Sequence, residues 1–299
     1  MLAFPATFVI NAPFGRFTPS GESIFLFDGE SRFGLFAPGP KTLNISFPGR
    51  WSWMAMELVS PSAFIYTYLH SPLSPLTFGT SPPLSIENPS AILASLILIH
   101  YANRAVLSPL RTPSRSKSHA IVLLAGIVFN MVNGPLLAAY LSSPEGLSYL
   151  AGAYQRPRFW FGLLAWATGF VGNIVHDEIL LNIRRKKQAE DAKKTPDQIA
   201  KEKQKGEHYA IPHGLLYEYI SYPNYFCEWI EWLGFALAAS PLPSFQNWGA
   251  FLATITPPFL FFVAELFTMT PRAVRGHQWY RSKFPNYPKK RKAVVPFIF

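Results

Sequence analysis

The chain alternates long apolar runs with shorter polar intervals, and polar side chains intrude on the runs at one end only. Six runs stand out, at residues 52–70, 91–107, 119–141, 159–181, 226–240 and 247–267. A bilayer core needs about 20 apolar residues of helix. The stretches at 91–107, 119–141 and 159–181 hold few charges before their ends. The pattern predicts an all-α, multi-pass transmembrane helix bundle with six clear spans. Glu57 opens the first run, and His100, Tyr101 and Arg104 close the second. Asn173, Asp177 and Arg184 close the fourth, Asn224 and Glu228 open the fifth, and Arg272 and His277 follow the sixth. An up-and-down bundle reverses at each helix, so all of these fall on one side. Ionisable groups within spans are costly and mark functional sites, which points to a buried pocket open to one aqueous compartment. Before the first run, Met1–Ile10 is apolar over about half the length of a span, and 1–50 as a whole reads as an irregular N-terminal region.

Spacing sharpens the site. Asn173, Asp177 and Arg184 stand at i, i+4 and i+11, within about 40° of one another on a helix. Tyr101 and Arg104 are i, i+3, and Asn224 and Glu228 are i, i+4. Taken singly, such pairs are helix-end anchors or interhelical hydrogen bonds, worth only about 0.6 kcal/mol in membranes. Five helices bringing them to one depth argue for a site. Planar guanidinium forks suit phosphate oxygens, and carboxylates suit ribose or amide hydrogens. The mix describes a pocket for a phosphorylated, amide-bearing cofactor, with the apolar bundle left to a greasy substrate.

Composition supports a membrane protein. Of 299 residues, 49% are hydrophobic and only 15% charged, against about 25% charged in soluble domains; mean hydropathy is +0.13. The net charge of +10 raises nucleic-acid binding, but the basic residues cluster in intervals between apolar runs. Arg111, Arg115 and Lys117 follow the second run, nine Lys and Arg lie in 182–207, and eight lie after 270. The opposite intervals, 71–90, 142–158 and 241–246, contribute Arg156 and Arg158. By the positive-inside rule the basic side is cytosolic, so 182–207 is read as a cytosolic loop, 271–299 as a basic cytosolic tail, and the polar cluster faces the cytosol. The triplet Asn44-Ile45-Ser46 falls on that side, where glycosylation does not reach it. Cys227 is the single cysteine, which excludes a disulfide framework or a thiolate metal site. The histidines are scattered without metal-ligand spacing, and neither a Gly-rich dinucleotide fingerprint nor a P-loop is present.

Several blocks carry a family resemblance: His100-Tyr101-Ala102-Asn103-Arg104, Asn173-Ile174-Val175-His176-Asp177, Tyr209-Ala210-Ile211-Pro212-His213-Gly214, the run from Ser221 to Glu228, and the ending from Tyr287 to Phe299. In that order, across roughly 50–299, they resemble the steroid 5α-reductase family (3-oxo-5α-steroid 4-dehydrogenases). The resemblance implies a single membrane domain over 1–299, with seven helices where this sequence shows six. It further implies an endoplasmic-reticulum enzyme that binds NADPH from the cytosol and reduces the C4–C5 double bond of a 3-oxo-Δ4 steroid, without metal or nucleic acid. Position by position, Glu57 and Tyr101 match the residues that hydrogen-bond the substrate ketone. Arg104, Arg115, Asn173, Asp177, Arg184, Tyr209, Asn224, Glu228, Arg272 and Tyr280 match NADPH-contacting positions. His277 matches the second of a histidine pair whose first member is Gly276 here. By this reading Tyr101, positioned by Glu57, stabilises the oxyanion that hydride transfer creates. Three alternatives stay open: a trans-2-enoyl-CoA or polyprenyl-type reductase, a membrane methyltransferase of the isoprenylcysteine type, and a non-catalytic lipid-binding protein.

Overall fold

The computed structural model describes residues 45–74, 79–113, 115, 117–195 and 209–299; Asn44 and the rest of the N-terminal region before it fall outside these. The helices run α1 (Gly49–His70), α2 (Pro89–Arg111), α3 (Ala120–Leu141), α4 (Pro144–Leu150), α5 (Pro157–Asp191), α6 (Pro223–Ala239), α7 (Trp248–Thr254) and α8 (Pro257–Lys283). A two-residue antiparallel ladder, β1 (Ser46–Phe47) with β2 (Ser118–His119), ties the start of α1 to the start of α3. Proline occupies the first turn of α2, α4, α5, α6 and α8, where its missing N–H has no helical partner to lose. Asn88 caps α2 by accepting from the Ser90 amide, and Ser143 caps α4 by accepting from the Gly146 amide. Such caps satisfy donors that the first turn leaves open.

Among the described residues, three helices are long and apolar enough to cross a membrane: α2, α3 and α5. The predicted runs 52–70 and 226–240 form α1 and α6, which do not meet that length and hydropathy. α6 is short, at 17 residues, and carries the buried acids Glu228 and Glu231 on an inward face. The expected single span at 247–267 is corrected: α7 and α8 meet at 115°. Thr256 precedes Pro257-Pro258 and Ile255 is extended, because a proline disfavours helical backbone in the residue before it. Counted as one broken span, the pair would make a fourth crossing. The interval read as a loop from 182 begins as helix, and its residues 196–207 lie outside the described residues. α5 continues without a break for 35 residues to Asp191, about 52 Å at the helical rise, helped by an i, i+4 pair between Lys187 and Asp191 at 2.8 Å. The basic tail likewise begins as helix, since α8 ends at Lys283.

α5 and α6 approach so closely that side chains are excluded at the crossing. A Cβ on Gly169 would lie 2.4 Å from the Glu231 nitrogen and 2.5 Å from the Cys227 oxygen, and one on Gly234 would lie 2.5 Å from the Trp166 nitrogen. Small residues at such contacts let helix backbones meet in membranes. Around this pair, Phe64, Leu93, Ile97, Leu137, Trp232 and Phe261 are buried in one core, while Leu124, Val128, Leu164 and Val171 face outward. At one end of the bundle the Ser90 hydroxyl donates to the Leu141 carbonyl at 2.7 Å, the Tyr154 hydroxyl to Ile86, and Arg158 to the Ser240 carbonyl at 2.7 Å. At the other end, Arg111 and Arg185 share Glu178, and the Arg291 guanidinium donates to the Pro212 carbonyl at 3.2 Å. The sparsely charged intervals are thereby gathered at one end and the basic ones at the other.

Candidate active site

α2 does not run regularly through the site. Between Ala102 and Leu107 it widens into a π-turn, with the Ser108 amide reaching back to the Asn103 carbonyl. Such bulges are frequent at functional sites. Here the turn frees the Arg104 carbonyl to accept from the Trp53 indole at 3.3 Å, and the Arg104 guanidinium lies 5.4 Å from the same ring. Arg104 is the hub of the pocket. Its Nε is 3.3 Å from Glu57 Oε1, and its Nη1 is 3.0 Å from Glu228 Oε1. Glu228 also accepts from Asn173 Nδ2 at 3.0 Å, and Asn224 donates to Asp177 at 3.0 Å. The helical stripes expected on α2, α5 and α6 therefore meet face to face. The Arg115 guanidinium also lies over the Trp53 ring, at 4.3 Å; burial and the like charge of Arg184 push its pKa down to about 10. Arg184 itself is exposed at the outer edge.

Tyr101 is buried one turn deeper than Arg104, and its hydroxyl neighbours Ser60, with Glu57 and Arg104 in electrostatic reach. Glu57 is paired with Arg104 and also lies within electrostatic reach of Tyr101. A narrow cleft between Trp53, Arg104, Arg115, Phe170, Asn173 and Asp177 opens onto this group, with a volume of about 40 Å³.

A second cluster forms where the C-terminal segment folds back. Ser221 Oγ lies 2.6 Å from both His277 Nδ1 and the Tyr287 hydroxyl. Tyr280 stacks on Tyr287 at 5.3 Å, and Tyr209 packs edge-on against Trp279 at 4.7 Å. Tyr217 joins the two clusters: it is in electrostatic reach of Asp177 on one side and of Tyr280, Tyr222 and Tyr287 on the other, and burial pushes its phenol well above the ordinary value. Arg272 is half-buried on α8. Gly276, the departure from the family pattern, has a structural reason. A Cβ there would lie 1.6 Å from the Tyr222 hydroxyl, so that tyrosine fills the space a side chain would need.

Sequence reasoning missed several members of the site. Glu231 is fully buried with its Oε1 2.6 Å from His100 Nδ1, and Glu265 is a buried carboxyl on α8. Both had the signal of an acid within an apolar run. Trp53, Ser221, Tyr217 and Arg291 had none, since nothing in an indole, a hydroxyl or a terminal arginine reveals its partner before folding.

The described residues thus form a helical bundle with a buried arginine–carboxylate hub beside a phenol. Residues 116–299 match the family model described as 3-oxo-5-alpha-steroid 4-dehydrogenase. An uncharacterized protein of Schizosaccharomyces pombe is 35% identical over 99% of this chain and 94% of its own length. The 3-oxo-5-alpha-steroid 4-dehydrogenase 1 of Bos taurus is 32% identical over 97% and 89%, and the steroid 5-alpha-reductase DET2 of Arabidopsis thaliana is 34% identical over 83% and 80%. The chain belongs to the 3-oxo-5-alpha-steroid 4-dehydrogenase family, which makes it an oxidoreductase of the CH–CH class.

Proposed function

We propose that this chain is an NADPH-dependent reductase of the C4–C5 double bond of a 3-oxo-Δ4 steroid or a related enone lipid. It acts as a single unit in the endoplasmic-reticulum membrane with its pocket open to the cytosol. The observation that carries the reading is the buried Tyr101 hydroxyl one turn below Arg104, which Glu57 and Glu228 hold between them. The names of the relatives, steroid dehydrogenase and steroid reductase, supply the substrate class.

The residues present suit NADPH. Arg115 and Arg184 are neighbouring cations, and Arg115 has no ion-pair partner among the described residues, so an anion between them would be favoured. Asn173, Asp177, Asn224 and Glu228 offer the donors and acceptors that ribose and carboxamide groups need. Arg272, Tyr209, His277 and Tyr280 extend the same wall toward the C-terminal segment. Small-molecule sites measure about 300–1,000 Å³, so the cleft side chains must part to admit a dinucleotide.

When bound, the nicotinamide supplies hydride to the β-carbon of the enone. The developing negative charge would fall on the ketone oxygen, where the Tyr101 hydroxyl donates a hydrogen bond in a water-poor pocket, and a proton from solvent taken up at the α-carbon would complete the reduction and restore the ketone. Glu57 positions the Arg104 guanidinium, whose charge stabilises the same oxygen. The surrounding apolar helices receive the hydrocarbon rings.

The test is NADPH oxidation by the purified protein with a progesterone-like steroid, an enoyl-CoA and a polyprenal side by side. Turnover of the steroid is expected, with Tyr101→Phe slower by on the order of a hundredfold. Parental rates for both Tyr101→Phe and Glu57→Gln would reject the residue assignment. Thermal stabilisation by S-adenosylmethionine in place of NADPH would turn the reading toward a methyltransferase.

A further inference from the structure

One buried histidine on α5 has no part in the pocket as described so far. His176 is 4% exposed, and both of its ring nitrogens have partners. Nε2 lies 3.2 Å from the Leu216 backbone nitrogen, and Nδ1 lies 2.6 Å from the Gly172 carbonyl. An amide can only donate, so Nε2 offers its lone pair, and the ring proton sits on Nδ1 and is donated to Gly172. Cys227 Sγ stands 3.8 Å from the same Nδ1. The backbone of His176 is engaged too. Its carbonyl accepts from the Tyr217 hydroxyl at 3.4 Å, and the two rings meet edge to face at 5.7 Å.

These contacts hold a short 3-10 turn, Leu215–Glu218, against α5. Apolar packing does little to hold it there. Leu215 is 60% exposed and has a positive φ of +52°, which is strained for a leucine. Between the turn and α5 lies an apolar groove of about 620 Å³, lined by Val171, Val175, Leu215 and Leu216 together with His176. The Leu216 amide belongs to the first turn of a helix and has no acceptor within it; His176 is the acceptor that satisfies it. Only Tyr217 of the turn is buried, and its hydroxyl reaches the carbonyl of the peptide that joins His176 to Asp177. Asp177 in turn accepts from Asn224 at 3.0 Å and lines the cleft beside Arg104.

We propose that His176 is a positioning residue for the NADPH pocket: through its ring and its carbonyl it clamps the 215–218 turn onto α5 and so fixes Asp177 toward Asn224. The inference rests on the reductase reading above. His176 touches neither the hydride path nor the ketone, so its effect falls on cofactor binding and not on the chemical step.

Hydrogen exchange and steady-state kinetics on the detergent-purified full chain test it. In His176→Phe the ring and its packing against Tyr217 remain, but the acceptor is lost. Exchange across 214–219 should then quicken, and the KM for NADPH should rise on the order of tenfold, with kcat at saturating NADPH within about twofold of the parent. His176→Gln places an amide oxygen near the position of Nε2, and it should restore both the slow exchange and the low KM. Parental exchange or a parental KM in His176→Phe, equal losses in the two variants, or a loss confined to kcat would overturn the proposal. Should His176→Phe not fold, Tyr217→Phe decides, since it removes only the hydroxyl at the shared carbonyl. A raised KM for NADPH is expected there, and a parental one would overturn the proposal. A parent that oxidises no NADPH, while exchange still responds to His176→Phe and recovers in His176→Gln, would count against the reductase reading and leave the clamp standing.

Discussion

Glu228 and Gly276 show how single residues define this pocket. Glu228 is 2% exposed and serves both Arg104 and Asn173, so three helices depend on one carboxylate. Its place was visible in the sequence as an acid four residues after Asn224 at the start of an apolar run. Gly276 was visible only as a departure from a family pattern, and its meaning comes from Tyr222, fifty-four positions earlier in the chain and folded against it. The expected consequence is specific. Gly276→Ala should lower stability by about 1–3 kcal/mol through overpacking, read as a drop in unfolding temperature in detergent. Truncating the obstacle as well, in Gly276→Ala with Tyr222→Ala, should leave Gly276→Ala with little further cost of its own. An unfolding temperature unchanged in the single variant would mean that Tyr222 does not occupy that space.

Among the helices, the α5–α6 pair carries the arrangement. Its close crossing at Gly169 and Gly234 sets the distance at which Asn173 meets Glu228 and Asp177 meets Asn224. Gly169→Val is therefore expected to push the helices apart, lowering both the folded yield on size-exclusion chromatography and steroid turnover. Gly79→Ala is the contrast: a Cβ there meets nothing within 4 Å, and only its φ of +82° opposes the change, at a cost of about 1 kcal/mol. Equal behaviour of the two variants would show that close approach of α5 and α6 is not what holds the site. The element boundaries were less legible than the residues. Hydropathy ended the fourth run at 181 because charge begins there, yet the helix continues, since Lys, Arg, Glu and Gln are good helix formers outside a membrane. Hydropathy also joined 247–267 into one run, because a proline pair bends a chain without making it polar.

Over the whole molecule, the ends of the bundle differ in charge, and that asymmetry predicts orientation. Cys227 is the lone cysteine and is buried, so a Cys227→Ser background carrying either Ser282→Cys or Ser148→Cys gives a clean reporter; both serines are exposed. In sealed microsomes an impermeant maleimide is expected to label position 282 directly and position 148 only after the membrane is opened. The reverse pattern would turn the pocket toward the lumen. What the amino-acid sequence determined by itself was the helical membrane architecture, the charged side and most of the polar residues of the pocket, because periodicity, hydropathy and charge act locally along a chain. Which acid pairs with which base, where α2 opens into a π-turn and what fills the space beside Gly276 were decided by tertiary structure. Those are outcomes of helices meeting, and a competition among carboxyl groups for one guanidinium has no counterpart until they share a site.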